Sequence, residues 1–137
     1  MSIYVVDDHL IMRDAIAMVM RRLHPSHLVL ELGCLADVVR LVAAPPPHLI
    51  LLDLNLPDVT GCSGVETVKR HFPSVPLAVY SASPASDVAH DCMAAGADFF
   101  LEKTAGAVEL VAALRHLFGD MPLPPKLQVA RTLGPPP

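Results

Sequence analysis

Several polar side chains of this sequence come directly after short apolar runs, and their types suit one chemistry. The set comprises Asp7, Asp8, Asp53, Ser81 and Lys103. Three carboxylates that share a cleft repel one another, and a divalent cation removes that repulsion. Because acidic side chains offer only oxygen ligands, Mg²⁺ is favoured over zinc or copper. A metal, a lysine and a hydroxyl beside one carboxylate are the groups that stabilise a phosphoryl group during its transfer.

The apolar runs themselves are short and rich in β-branched or aromatic residues, which is typical of strands buried on both faces. They lie near residues 3–6, 28–30, 49–52, 77–80 and 99–101. In the first interval between runs, the apolar residues recur at three- and four-residue spacing: Met12, Ile16, Val19 and Leu23. That period predicts an amphipathic helix, and we expect helices over about 9–23, 35–44, 65–72, 84–95 and 104–117.

Five strand-helix units with short connections predict an α/β domain, in which a doubly wound parallel sheet has helices on both faces. The carboxyl ends of parallel strands share one edge of the sheet, and ligands bind at that edge. Residues as distant in sequence as Asp7 and Lys103 are therefore expected in one pocket. Asp53 ends the most apolar run, which we place centrally in the sheet, so it is the expected nucleophile.

The overall composition favours one globular domain. The chain has 137 residues, of which 53% are hydrophobic and 18% charged, the opposite of the balance in a disordered chain. Its net charge of −4 gives no electrostatic basis for binding nucleic acid through this domain. No apolar run approaches the roughly 20 residues of a membrane span, and the N-terminus lacks signal-peptide features. We therefore expect no membrane contact and a cytoplasmic location.

The end of the chain differs from the rest, because residues 119–137 hold six of the fourteen prolines and show no regular period. We predict a folded domain over 1–118 and a proline-rich linker or tail over 119–137. The three cysteines, Cys34, Cys62 and Cys92, are odd in number and far apart in the sequence. None forms a Cys-x-x-Cys pair, so the sequence indicates neither a zinc site nor a disulfide framework.

Taken in order, these features resemble the receiver domain of two-component response regulators over residues 1–118. The matching segments are Asp7-Asp8, Leu52-Asp53-Leu54-Asn55-Leu56-Pro57, Tyr80-Ser81-Ala82, and Lys103 after Gly96-Ala97-Asp98. The resemblance implies a flavodoxin-like receiver fold with strand order 2-1-3-4-5. The segment 7–13, and Thr104 after Lys103, are similar to the LuxR/NarL/FixJ-like subfamily, whose members end in a helix-turn-helix domain.

The resemblance also implies a reaction. Asp53 would accept a phosphoryl group from a phosphohistidine of a sensor histidine kinase. Mg²⁺ would contact Asp8, Asp53 and the backbone carbonyl of Asn55 directly, with Asp7 acting through water. The domain would be a signalling phosphoacceptor rather than an enzyme, limited to its own phosphorylation and dephosphorylation.

Further roles follow from the same resemblance. Lys103 would pair with the phosphoryl group, Ser81 would move to bond one of its oxygens, and Phe100 would be the rotating aromatic of the switch. The side chains of Asn55 and Ser83 would tune self-dephosphorylation. The expected output is transcription through a DNA-binding domain outside this chain. A homodimer contact on helix one, four or five stays open.

Other interpretations compete with this one. Asp7 or Asp8 could simply cap the first helix, Phe100 could be a plain packed aromatic, and His9 a surface residue. The domain could be an interaction module that needs no phosphorylation, although such modules usually lack one of the acids or the lysine. A phosphatase with an Asp-x-Asp motif is disfavoured because Asn55 replaces the second acid. A flavin-binding relative is disfavoured because the acidic loop after the first strand would repel phosphate.

Overall fold

Strands and helices alternate along the chain in a computed structural model that describes residues 2–59, 61–81, 85–102, 112–116 and 131–132. The strands are β1 (Ser2–Val6), β2 (Leu28–Leu32), β3 (Leu49–Asp53), β4 (Leu77–Ser81), β5 (Phe99–Glu102) and β6 (Arg131–Thr132). The helices are α1 (Leu10–Leu23), α2 (Leu35–Arg40), α3 (Ser63–His71) and α4 (Ala85–Ala95). Residues 112–116 are also helical and are called α5.

The strands form one parallel sheet in the order β2-β1-β3-β4-β5-β6. The predicted five-stranded order 2-1-3-4-5 is therefore confirmed. The sixth strand is an addition, because Arg131 and Thr132 pair with Phe99 and Phe100 at the edge of β5. These two residues are the described part of the predicted linker or tail over 119–137, and the boundary at 118 stays a prediction.

Alternate residues of the strands face opposite sides of the sheet, so the core has two layers. On one side, strand residues such as Tyr4, Leu52 and Phe100 pack against α2, α3 and α4. On the other side, strand residues such as Val5, Leu51 and Tyr80 pack against α1 and α5. Every residue of β3 and β4 is buried, as the continuous apolar runs predicted.

Helix ends follow local hydrogen bonding. The predicted helix over 35–44 is shorter, since α2 ends at Arg40 and residues 41–43 form turns ahead of the three prolines. Gly96 ends α4 as expected: its φ of 118° lies where glycine is favoured. Gly61, with φ of 55°, turns the chain before α3, which begins at Ser63. Among the described helices, none is both long and apolar enough to cross a membrane.

The loop after β3 is attached to α2 by Asp58. Its carboxylate oxygens accept hydrogen bonds from the backbone N–H of Leu35 and of Ala36, both at 3.0 Å. The N-cap residue of α2, Cys34, makes no side-chain capping bond, so Asp58 caps this helix from another part of the chain. This contact attaches the middle of the loop between β3 and α3 to α2.

Candidate metal centre at the carboxyl edge of the sheet

The three predicted acids lie together where β1 and β3 end. Val6 pairs with Leu52 in the sheet, so Asp7 and Asp53 leave neighbouring strands at the same level. Asp7 and Asp53 are fully buried, while the side chain of Asp8 is 36% exposed. With His9, these residues each offer a ligand atom, and the four atoms lie within 4.8 Å of one another. The three carboxylates thus give an oxygen-rich set that suits Mg²⁺.

His9 faces the acids although its side chain is 64% exposed. Its Nδ1 lies 3.1 Å from Asp7 Oδ1, 3.2 Å from Asp8 Oδ1 and 3.7 Å from Asp53 Oδ2. Its backbone N–H also donates to Asp7 Oδ1 at 2.8 Å. The interpretation of His9 as a surface residue agrees with its exposure, but the contact between its ring and the acids was not predicted. Its position directly after the two acids was the available signal.

The loop after β3 holds the Asp53 carboxylate from the backbone. The N–H of Asn55 donates to Asp53 Oδ1 at 3.1 Å, and the N–H of Leu54 donates to the carbonyl of Tyr80 at 3.2 Å. Asn55 itself is exposed. The backbone of this loop therefore holds one oxygen of Asp53 in place, and the Asn55 carbonyl stays a predicted ligand.

Tyr80, a residue of β4, holds one of the acids of the site by a hydrogen bond. Its hydroxyl donates to Asp7 Oδ2 at 3.1 Å and also lies 3.4 Å from the carbonyl oxygen of Val6. Burial is the main reason why the pKa of Tyr80 is raised well above its ordinary value, and the charges of Asp7 and Asp53 add to that shift. The hydroxyl is therefore a permanent donor. From the sequence, Tyr80 was assigned to an apolar strand and to the segment around Ser81, and the bond from its phenol hydroxyl to Asp7 was not predicted.

Arg13 contributes positive charge behind the acids. Its Nη1 donates to the backbone carbonyl of Asp7 at 3.2 Å, and its Nε lies 3.4 Å from Glu31 Oε1. Its side chain is 19% exposed. Arg13 thus links the first turn of α1 to the end of β1 and to β2, which holds the Asp7 backbone in place.

The remaining predicted residues belong to β4 and β5. Ser81 ends β4, is fully buried and pairs with Glu102, so β4 and β5 end at the same edge of the sheet. Lys103 follows Glu102 but lies outside the described residues, as do Ser83 and Thr104. Phe100 is 1% exposed and packs in the core layer that contacts α2, α3 and α4. The described residues therefore unite Asp7, Asp8 and Asp53, with Ser81 at the end of the strand beside β3.

A family model for the response regulator receiver domain matches residues 3–115. The chain belongs to this family. It is 26% identical over 117 residues to the response regulator GacA of Pseudomonas aeruginosa, covering 85% of this chain and 55% of that protein. It is 29% identical over 128 residues to the glycerol metabolism activator of Pseudomonas putida, covering 92% of this receiver chain and 58% of the relative. The chain thus spans little more than half the length of these curated relatives.

Solved structures agree on the receiver fold. A LuxR family DNA-binding response regulator from Silicibacter pomeroyi superposes with a TM-score of 0.73 at 24% identity, covering 97% of this chain and 96% of that one. The phosphorylated cyanobacterial phytochrome response regulator RcpA superposes with a TM-score of 0.76 at 21% identity, covering 90% and 97%. At these identities the likeness establishes the fold alone.

Proposed function

We propose that this receiver domain accepts a phosphoryl group on Asp53 from the phosphohistidine of a sensor histidine kinase, in a reaction that requires Mg²⁺. The convergence of Asp7, Asp8 and Asp53 carries the proposal, because their oxygens lie within 4.8 Å at one edge of the sheet. Two of these three acids are fully buried, and a cation is the direct way to balance such crowded charge.

In the proposed step, a carboxylate oxygen of Asp53 forms a bond to phosphorus while the bond from phosphorus to the donor imidazole nitrogen breaks. Asp8, Asp53 and the carbonyl of Asn55 would hold Mg²⁺ directly, and Asp7 would do so through water. When bound, the ion neutralises charge on the phosphoryl oxygens. The N–H of Asn55 keeps one Asp53 oxygen in place at 3.1 Å. Asn55 offers no second acid for turnover, so the phosphoryl group is kept as a signal.

Lys103 and Ser81 would stabilise the phosphorylated form of the domain, and Phe100 would change its packing in response. Lys103 would pair with the phosphoryl oxygens, and Ser81, at the end of β4, would move to bond one of them. Phe100 would then change its packing in the core layer against α4, where it is buried in the present structure. The domain would act on itself only, by its own phosphorylation and dephosphorylation, and not as an enzyme on other substrates.

The output would come from outside this chain. The chain covers 55% and 58% of two curated relatives, so each relative has sequence beyond the part that this chain matches. The resemblance of segment 7–13 to the LuxR/NarL/FixJ-like subfamily is the basis on which we propose transcriptional output through a DNA-binding domain. We also propose a receiver domain over 1–118, a proline-rich linker or tail over 119–137, a homodimer contact and a cytoplasmic location.

The test is phosphorylation in solution by a small-molecule phosphodonor with Mg²⁺. Intact mass spectrometry should detect one added phosphoryl group on the wild type, and none when a chelator removes Mg²⁺ or when Asp53→Asn replaces the acceptor. Asp14→Asn is the matched control, since Asp14 is an exposed acid on α1 that does not belong to the cluster. An unmodified wild-type chain under conditions that phosphorylate another receiver would reject the proposal and favour an interaction module.

A further inference from the structure

Two cysteines that are 30 positions apart in sequence are in contact in the fold. The Sγ atoms of Cys62 and Cys92 lie 2.8 Å from each other, and both residues are free thiols. Cys62 is the N-cap residue of α3, and Cys92 belongs to α4. The bond length of a disulfide is about 2 Å, so the sulfurs need to approach by less than 1 Å to form one.

The two thiols differ in their access to solvent. Cys92 is fully buried, whereas Cys62 is half-buried. Cys62 also lines an open surface depression of about 460 Å³, together with Glu66, Asp91, Ala94 and Ala95. Burial and the contact with Cys62 both raise the pKa of the Cys92 thiol. Cys62 is therefore the sulfur that a small oxidant reaches, and Cys92 is a protonated partner beside it.

We propose that Cys62 and Cys92 are a reversible redox pair that a peroxide converts to a disulfide. The thiolate of Cys62 attacks one peroxide oxygen, the O–O bond breaks, and Cys62 becomes a sulfenic acid while hydroxide leaves. The sulfur of Cys92 then displaces the sulfenic oxygen, which departs as water with the Cys92 proton. For hydrogen peroxide, two thiols and one peroxide give one disulfide and two water molecules. A dithiol reductant reverses the reaction.

The disulfide would join the N-cap residue of α3 to α4, and these two helices lie on the same side of the sheet. Cys92 also anchors the end of its helix, because its carbonyl accepts from Ala97 N–H at 3.0 Å. A covalent link at this point opposes any displacement of α4 relative to α3. If the proposed phosphorylation moves α4, then oxidation restrains that response; this consequence rests on the proposed function, whereas the disulfide itself does not.

Peptide mapping of the full chain gives a direct test. Trypsin places the three cysteines on separate peptides, 23–40, 41–69 and 71–103. After treatment with hydrogen peroxide we expect peptides 41–69 and 71–103 to be joined, peptide 23–40 to stay free, and a dithiol to separate the pair. Free thiols should fall from three to one. Cys34→Ser should behave as the wild type, and Cys62→Ala should lose the link.

Several results would overturn the proposal. The first is that all three thiols of the folded chain persist at a peroxide concentration that oxidises the unfolded chain. The second is a disulfide that includes Cys34. The third is further oxidation of Cys62 to sulfinic acid while Cys92 stays a free thiol. Because all these readings come from the folded wild type, they do not depend on a variant that folds poorly. A chain that forms the disulfide but takes no phosphoryl group would reject the proposed function alone.

The link to the switch has its own measurement. We expect the oxidised chain, treated with phosphodonor and Mg²⁺, to show a smaller change in amide exchange over α4 than the reduced chain. An equal change in both forms would reject the restraint on α4.

Discussion

The hydroxyl of Tyr80 and the carboxylate of Asp7 form a buried hydrogen bond of 3.1 Å between β4 and the end of β1. The two residues are 73 positions apart in sequence, and β3, the strand that carries Asp53, lies between their strands in the sheet. Tyr80 pairs in register with Asp53, and Ser81 follows directly. The side chain of Tyr80 thus holds Asp7, a predicted metal ligand. The backbone of Tyr80 pairs with the predicted phosphoacceptor Asp53 and directly precedes the predicted switch residue Ser81.

Tyr80→Phe should destabilise the domain, because the ring still fills its place but a buried hydrogen bond to a charged group is lost. We expect the free energy of unfolding at neutral pH to fall by about 1.5–3 kcal/mol. A double-mutant cycle with Asp7→Asn, followed by denaturant unfolding, isolates the pair. Tyr4→Phe is the control, since Tyr4 is buried in the opposite core layer against Phe72. Additive effects of Tyr80→Phe and Asp7→Asn would contradict a direct interaction.

Mg²⁺ should stabilise the folded chain against heat, because in the proposed site the ion would balance the charge of three crowded carboxylates that the unfolded chain separates. At one hundred times its dissociation constant the ion adds about 2.7 kcal/mol. Asp8→Asn should remove most of this gain while leaving metal-free stability near the wild-type value, since Asp8 is 36% exposed. Asp14→Asn, on the exposed face of α1, should keep the full gain. Differential scanning fluorimetry with and without Mg²⁺ measures the shift in unfolding temperature. Equal shifts in the two variants would show that Asp8 is not a ligand of the ion.

Much of this site could be predicted from the sequence because it depends on topology. Parallel strands that end in Asp7, Asp53 and Ser81 must bring these residues to one edge, whatever the details of packing. The apolar run Leu49–Leu52 likewise allowed the central strand to be predicted from the sequence.

Contacts between elements were harder to foresee. The Tyr80 hydroxyl and the Cys62–Cys92 contact depend on how far a side chain reaches and how two helices are rotated, and neither follows from periodicity. The same holds for Asp58, whose role as a cap for α2 depends on the path of a loop. Lys103 lies outside the described residues, so its role stays a prediction.

Lys69 should matter to stability although it is far from the acids. Its Nζ donates to the carbonyl of Val75 at 2.7 Å and to Asp98 Oδ2 at 2.9 Å, and both side chains of the ion pair are mostly buried. Lys69→Met leaves Asp98 without this charge partner, and we expect a loss of about 1.5–3 kcal/mol in unfolding free energy. Arg70→Met, exposed on the same helix, should change it by less than about 0.5 kcal/mol. Urea unfolding of both variants decides the point, and similar losses would indicate a general effect of charge.

Asp58 should give a pH-dependent contribution to stability. Burial tends to raise its pKa, but hydrogen bonds from the backbone N–H of Leu35, Ala36 and Asp58 itself outweigh burial and lower the pKa below its ordinary 3.8. A carboxylate with a depressed pKa stabilises the fold above the pKa of the unfolded chain, and this contribution is lost as pH falls through the folded value.

Asp58→Ala should therefore lower the unfolding free energy by about 1 kcal/mol at neutral pH, the typical effect of losing a helix cap. The difference from the wild type should shrink as pH falls from 3.8 through the lower pKa of the folded state, where the wild-type carboxylate becomes protonated. Denaturant unfolding across this range, with Asp14→Ala as the control, measures the trend. A difference that stays constant with pH would exclude the charged cap.

Phosphorylation should change protection from amide exchange at the start of α4 and along β5. In the proposed switch, the phosphoryl group would give Ser81 and Lys103 a new partner, and a two-state equilibrium near α4 and β5 would shift toward the conformation that makes those bonds. Phe100 lies on β5 in the layer that contacts α4, so its movement would carry the change into that helix. Exchange measured by mass spectrometry with and without a stable phosphoryl analogue tests this, and β2 should stay unchanged as an internal reference. Ser81→Ala should accept the analogue but show a reduced change over α4, and an undiminished change there would exclude Ser81 from the switch.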